Sequence, residues 1–139
     1  MLVRVGKNTG EILVTLVGGN SMFPKKHDFV KALVKRFPDI TTVTFSVNRT
    51  PEMLLLGENN EVLYGKGYIT DILCGKRFRI SPQSFYQINH AQTEKLYDYA
   101  IKAAKLTKKD VLLDAYSGIG TIGIIASDYV KQVQGIDRK

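Results

Sequence analysis

Residues 111–123 leave this chain few folds to choose from. Val111-Leu112-Leu113-Asp114-Ala115 reads as an apolar strand that ends at an acid. Gly118-Ile119-Gly120 then makes a tight bend, and about ten residues with helical character follow. Val133 to Asp137 begins another strand. Strand, glycine bend, helix and strand in this order are the opening of a doubly wound parallel sheet. Such a sheet usually has about five or six parallel strands, and this sequence supplies two. The 139 residues fit one domain or two small ones. The expectation is therefore a fragment, or a chain whose sheet is completed by a partner.

The part ahead of the bend has a different character. Residues 11–17 read as a strand. Asp28 is placed to cap a helix in which Val30, Leu33, Val34 and Phe37 recur at helical spacing, and Pro38 ends it. Val43, Phe45 and Val47 alternate with Thr42, Thr44 and Ser46, the pattern of a half-buried strand. Residues 53–56, 61–69 and 76–80 read as further strands. Asn89 with Gln92 three residues on resembles a capping box. It opens a helix whose apolar face carries Leu96, Tyr97, Ala100, Ile101 and Ala104. The division expected is a strand-rich α+β domain over 1–88 and the start of an α/β domain over 89–139.

The bend decides which ligand to expect. Gly118, Gly120 and Gly123 match the G-x-G-x-x-G dinucleotide fingerprint, and Asp137 follows about 20 residues later, where that pattern places an acid. A nicotinamide or flavin enzyme is thus a rival reading. Charge favours another. A pyrophosphate at the helix N-terminus is opposed by a carboxylate at the strand end, and Asp114 stands there. S-adenosylmethionine has no phosphate and carries a sulfonium and an ammonium, so the same acid becomes an asset. Asp137 at the next strand tip can accept from both ribose hydroxyls.

Bulk properties narrow the partners. Lysine and arginine number 20 against 13 acids, a net charge of +7, which attracts phosphate backbones. Arg77-Phe78-Arg79 sets an aromatic between two cations, a pattern equally at home facing RNA or on an exposed strand. The single cysteine, Cys74, excludes an internal disulfide and suits a reducing cytosol, so a cytoplasmic protein is expected. With His27 and His90 it makes no metal-ligand pattern, and no metal is expected. No apolar run is long enough for a membrane helix, and no signal peptide is visible.

Two stretches resemble a known family. Phe78-Arg-Ile-Ser-Pro-Gln-Ser-Phe-Tyr-Gln-Ile-Asn89, and Leu113 through Gly123 with Gly135-Ile-Asp137, are similar to the S-adenosylmethionine-dependent RNA uracil-5-methyltransferases of 23S ribosomal RNA and tRNA. The resemblance implies a Rossmann-like methyltransferase fold that begins after a central α+β domain. It places Gln87 at cofactor and target uracil, and Phe85 beside the flipped base. Tyr116, Gly118, Gly120 and Thr121 fall at cofactor-contacting positions of the bend, with Asp114 before it and Asp137 as the ribose acid. In the family a cysteine thiolate adds to uracil C6, C5 attacks the cofactor methyl, and a base removes the C5 proton. The target base is first extruded from any stack.

The family's nucleophile and base are expected beyond Lys139, and Cys74, ahead of the cofactor motif, reads as a small buried hydrophobe. The chain alone is therefore expected to be inactive. RNA is the expected partner, 23S rRNA above tRNA, with a homodimer through an unpaired sheet edge. A non-catalytic RNA-binding module and a dinucleotide oxidoreductase remain the other readings.

Overall fold

The computed structural model describes residues 1–49, 56–57 and 59–137. It is a mixed α/β chain in two compact units, Met1–Asp71 with Arg79–Gln83, and Ile72–Phe78 with Ser84–Lys139. The change of character expected at residue 89 lies inside the second unit.

The first unit carries a four-stranded mixed sheet in the order β1-β2-β3-β4. β1 (Leu2–Val5) pairs antiparallel with β2 (Ile12–Gly18), and α1 (Lys26–Arg36) crosses over to β3 (Ile40–Val47), parallel to β2. β4 (Asn60–Tyr64) returns antiparallel to β3. One face of the sheet packs Val14, Ile40 and Val43 on Val30 of the helix, with Leu33 and Val34 beside them. α1 starts earlier than expected. Lys25, in the left-handed region, precedes it without a side-chain cap, so Asp28 sits within the first turn, where its charge suits the helix dipole.

β3 is buried on both faces rather than one. Thr42, Thr44 and Ser46 are buried because each hydroxyl finds a partner. Thr42 Oγ1 donates to Tyr64 O (2.6 Å), Thr44 Oγ1 meets Thr15 Oγ1 (2.9 Å), and Ser46 Oγ accepts from Gly57 N (2.9 Å). The run expected over 61–69 is broken by Gly65-Lys66-Gly67 into β4 and β5 (Ile69–Leu73). β5 and β6 (Lys76–Ile80) form a two-stranded sheet. Most of the strand expected over 53–56 lies outside the described residues.

In the second unit, Asn89 caps α2 (His90–Ala104), its Oδ1 accepting from Gln92 N (3.2 Å). The face it buries is Thr93 and Tyr97, with Ile101 partly covered, whereas Leu96, Ala100 and Ala104 are exposed. Leu73, Phe78, Tyr97 and Ile125 form the core, with Tyr86 and Ile119 packed against it. β7 (Val111–Ala115) and β8 (Gln132–Ile136) are parallel neighbours, joined through α3 (Thr121–Ala126), six residues where about ten were expected. No helix among the described residues is long and apolar enough to cross a membrane.

Candidate functional site

The bend after β7 is held open by backbone geometry. Tyr116 (φ 62°), Gly118 (φ 56°) and Gly120 (φ 77°) all take the left-handed region. Glycine enters it freely, and a tyrosine there is uncommon enough to mark the turn as constrained. Ser117 N donates to Ile136 O (3.0 Å), which ties the bend to the end of β8. Gly120 N donates to Ser117 O (2.7 Å) and Ile124 N to Gly120 O (2.8 Å), so the bend runs directly into α3. Against it lies a cavity of about 450 Å³, bordered by Asp114, Ser117, Gly118, Gly120 and Gly135. That volume falls in the range of small-molecule sites.

Two carboxylates frame the bend, and each is anchored by a glycine amide. Asp114 Oδ2 accepts from Gly123 N (2.9 Å), an amide of the first turn of α3 with no partner inside the helix. Asp114 thus borders the cavity and also fills the anion position that the helix start offers. Asp137, exposed just past β8, accepts from Gly118 N through Oδ2 (2.8 Å). The acid at the strand tip and the first glycine of the bend are therefore in direct contact, although 19 residues separate them.

The remaining residues singled out by sequence are placed less centrally. Thr121 opens α3, and its Oγ1 meets the hydroxyl of buried Tyr97 (3.1 Å). Tyr116 projects outward, 89% exposed. Phe85 (74% exposed) and half-buried Gln87 lie on the irregular segment joining β6 to α2, not on a strand. Between them Tyr86 turns inward, 6.3 Å from Phe78 and 5.3 Å from His90 between ring centroids. Phe85, Gln87, Tyr116, Thr121 and Asp137 are not among the residues that border the cavity, whereas Asp114, Gly118 and Gly120 are.

Sequence reasoning missed Ser117, Ser127 and Val133 on the cavity wall and the bond from Tyr97 to Thr121. Gly135 was visible as part of Gly-Ile-Asp. It leaves room for Ser117, whose Oγ would lie 3.2 Å from an added Cβ. Cys74 is half-buried rather than buried, in the turn between β5 and β6. Burial and then the charges of Glu94 and Asp98 push its thiol above the ordinary range, the opposite of an activated nucleophile.

No family model matches the sequence. Curated relatives do. The chain is 40% identical over 137 residues to an uncharacterized RNA methyltransferase of Staphylococcus aureus, covering 99% of this chain and 30% of the relative. It is 43% identical over 138 residues to an uncharacterized RNA methyltransferase of Lactococcus lactis, with the same coverage. Among solved structures, the tRNA (uracil-54, C5)-methyltransferase of Pyrococcus abyssi in complex with S-adenosyl-L-homocysteine superposes with a TM-score of 0.73 at 28% identity. That match covers 99% of this chain and 32% of the archaeal one. The chain thus spans about a third of the length of the proteins it matches, and over that third it is similar in sequence to bacterial RNA methyltransferases and in fold to an archaeal tRNA uracil methyltransferase.

Proposed function

We propose that the bend between β7 and α3 binds S-adenosylmethionine, and that this chain is the cofactor-holding part of an enzyme that methylates C5 of uracil in structured RNA, with 23S ribosomal RNA as the target. One observation carries the choice of cofactor. The carboxylate of Asp114 already accepts from Gly123 N at the start of α3. A pyrophosphate needs that helix end for itself and would meet a fixed negative charge there. A ligand bearing a sulfonium and an ammonium meets attraction instead. The archaeal neighbour carries the product form of this cofactor.

The chain's residues take these parts. Gly118 and Gly120 bring bare backbone to the ligand, with Tyr116 and Thr121 beside them. Asp137 receives the ribose hydroxyls, and its bond to Gly118 N fixes its carboxylate for that task. Gln87 reaches toward the cofactor and target uracil, and Phe85 offers an exposed ring to the flipped base. When bound, the cofactor supplies an electrophilic methyl group. The residues described here bind and orient; burial and then the charges of Glu94 and Asp98 push the Cys74 thiol up, away from a thiolate nucleophile. The Rossmann-like reading of the second unit rests on the parallel β7–α3–β8 order. The uncovered edges of that two-stranded sheet make self-association part of the same proposal. The single cysteine suits a cytoplasmic setting.

Isothermal calorimetry of the 139-residue chain tests the cofactor assignment. Binding heat with S-adenosylhomocysteine, none with NAD, and an affinity at least tenfold weaker in Asp137→Ala (about 1.4 kcal/mol) are expected. NAD binding, or an Asp137→Ala variant as tight as the parent, would overturn it. An RNA-binding module without cofactor would show heat with neither ligand.

A further inference from the structure

Arg79 is the residue of the Arg-Phe-Arg run whose role the cofactor site does not explain. β6 alternates strictly, with Phe78 and Ile80 buried and Arg77 and Arg79 exposed. Burial of the strand therefore accounts for the apolar residues and says nothing of the arginines. The environment of Arg79 is specific. Its guanidinium carbon sits 3.7 Å from the centroid of the Tyr68 ring. Lys66 Nζ lies 5.0 Å from the same centroid, so two cationic heads share one aromatic ring. Both distances are within the range of cation–π attraction.

The charges in this cluster do not cancel. Glu11 pairs with Lys66 (Nζ to Oε2, 3.1 Å) and also accepts from Thr70 N (2.7 Å) and Thr70 Oγ1 (3.1 Å). Burial raises the Glu11 carboxyl, but the hydrogen bonds from Thr70 and Lys66 and the lysine charge outweigh it and hold the group below its ordinary value. Glu11 thus stays ionised and offsets one positive charge, that of Lys66. Arg79 has no carboxylate within ion-pair distance among the described residues. An exposed arginine normally loses about 2 kcal/mol of side-chain entropy when it is held by a ligand. The contact with the Tyr68 ring removes part of that freedom in advance, while Arg79 stays exposed. A planar fork held in this way matches the oxygens of a phosphodiester, which it can engage through two parallel hydrogen bonds.

We propose that Arg79, seated over Tyr68, binds a backbone phosphate of the substrate RNA. This rests on the RNA reading above and adds a substrate contact on the first unit: Arg79 lies in the Phe78–Asn89 stretch but is given no part there in holding cofactor or target base, and Tyr68 lies outside it. A phosphate is favoured over an acidic peptide because the chain as a whole carries +7 and an unpaired planar cation prefers a bidentate anion on a repeating backbone. The contact positions the RNA and carries no sequence information.

Fluorescence anisotropy with a fluorescein-labelled RNA hairpin, followed between roughly 50 and 200 mM salt, tests it. Arg79→Ala is expected to weaken binding about fivefold to tenfold at low salt and to make the log–log salt slope shallower by about 1. Arg79→Lys keeps charge without the fork and is expected to recover only part of the loss. Tyr68→Leu unseats the arginine and is expected to fall between, whereas Tyr68→Phe keeps the ring and the parent affinity. Thermal melts of each variant report folding independently. An unchanged affinity and slope in Arg79→Ala, or equal competition by poly-glutamate and unlabelled hairpin, overturns this inference while leaving the RNA reading intact. A parent chain with no salt-dependent RNA affinity overturns both.

Discussion

At Gly123 the absence of a side chain lets strand and helix meet. A Cβ there would lie 2.8 Å from Asp114 Oδ2 and 2.9 Å from Val133 Cγ1, closer than real contacts allow. Moving Asp114 away breaks its bond to Gly123 N, and moving Val133 disturbs β8. Gly123→Ala is therefore expected to cost about 1–3 kcal/mol, read as a lower urea midpoint, and to abolish binding of S-adenosylhomocysteine. The third glycine of the fingerprint is thus a packing residue, and the first two shape the bend. Asp114, which borders the cavity, was legible in the sequence as the acid at the end of β7. Its bond to an amide nine residues on was not, because spacing alone does not say which way a carboxylate turns. Asp137 was picked out by its distance from the first glycine, and its bond to Gly118 N was not legible from that distance.

Among the elements, α2 links the core of the second unit to the bend. Tyr97 is buried among Leu73, Phe78 and Ile125, and its hydroxyl reaches Thr121 at the start of α3. Tyr97→Phe keeps the ring and removes the bond, with an expected loss of about 0.5–1.5 kcal/mol in chemical denaturation and weaker binding of S-adenosylhomocysteine. A purely structural role would leave binding unchanged once the variant is folded. This contact joins residues 24 apart in sequence, so no periodicity could reveal it. Apolar runs located β2 and β7, and alternation or helical spacing located α1, β3, β6 and α2. Such patterning missed β1, whose four residues alternate between half-buried and exposed with an arginine among them. It read β3 as half-buried because threonine and serine look solvent-facing until their hydroxyls are seen to be paired. It ran β4 into β5 because the turn between them is only a few residues long. On α2 it proposed too wide an apolar face, since helical spacing cannot say where covering residues stop.

For the molecule as a whole, charge and uncovered surface set the behaviour in solution. β7 turns Val111 and Leu113 to the face away from Leu112 and Asp114, and both are more than half exposed, as is Ile136 on β8. Parallel sheets are ordinarily covered on both faces. Sedimentation velocity is expected to show concentration-dependent self-association that weakens in Leu113→Lys, against a net charge of +7 that opposes it. A chain that stays monomeric at all concentrations would remove the homodimer from the proposal and leave the cofactor site untouched. That site is tested most directly by titrating the ¹⁵N-labelled chain with S-adenosylhomocysteine and following its amide resonances. The resonances of Ser117, Gly118, Gly120 and Gly135 are expected to shift together and saturate, with NAD leaving them in place. Resonances of the bend that stay fixed with S-adenosylhomocysteine, or that move with NAD instead, would contradict the cofactor assignment.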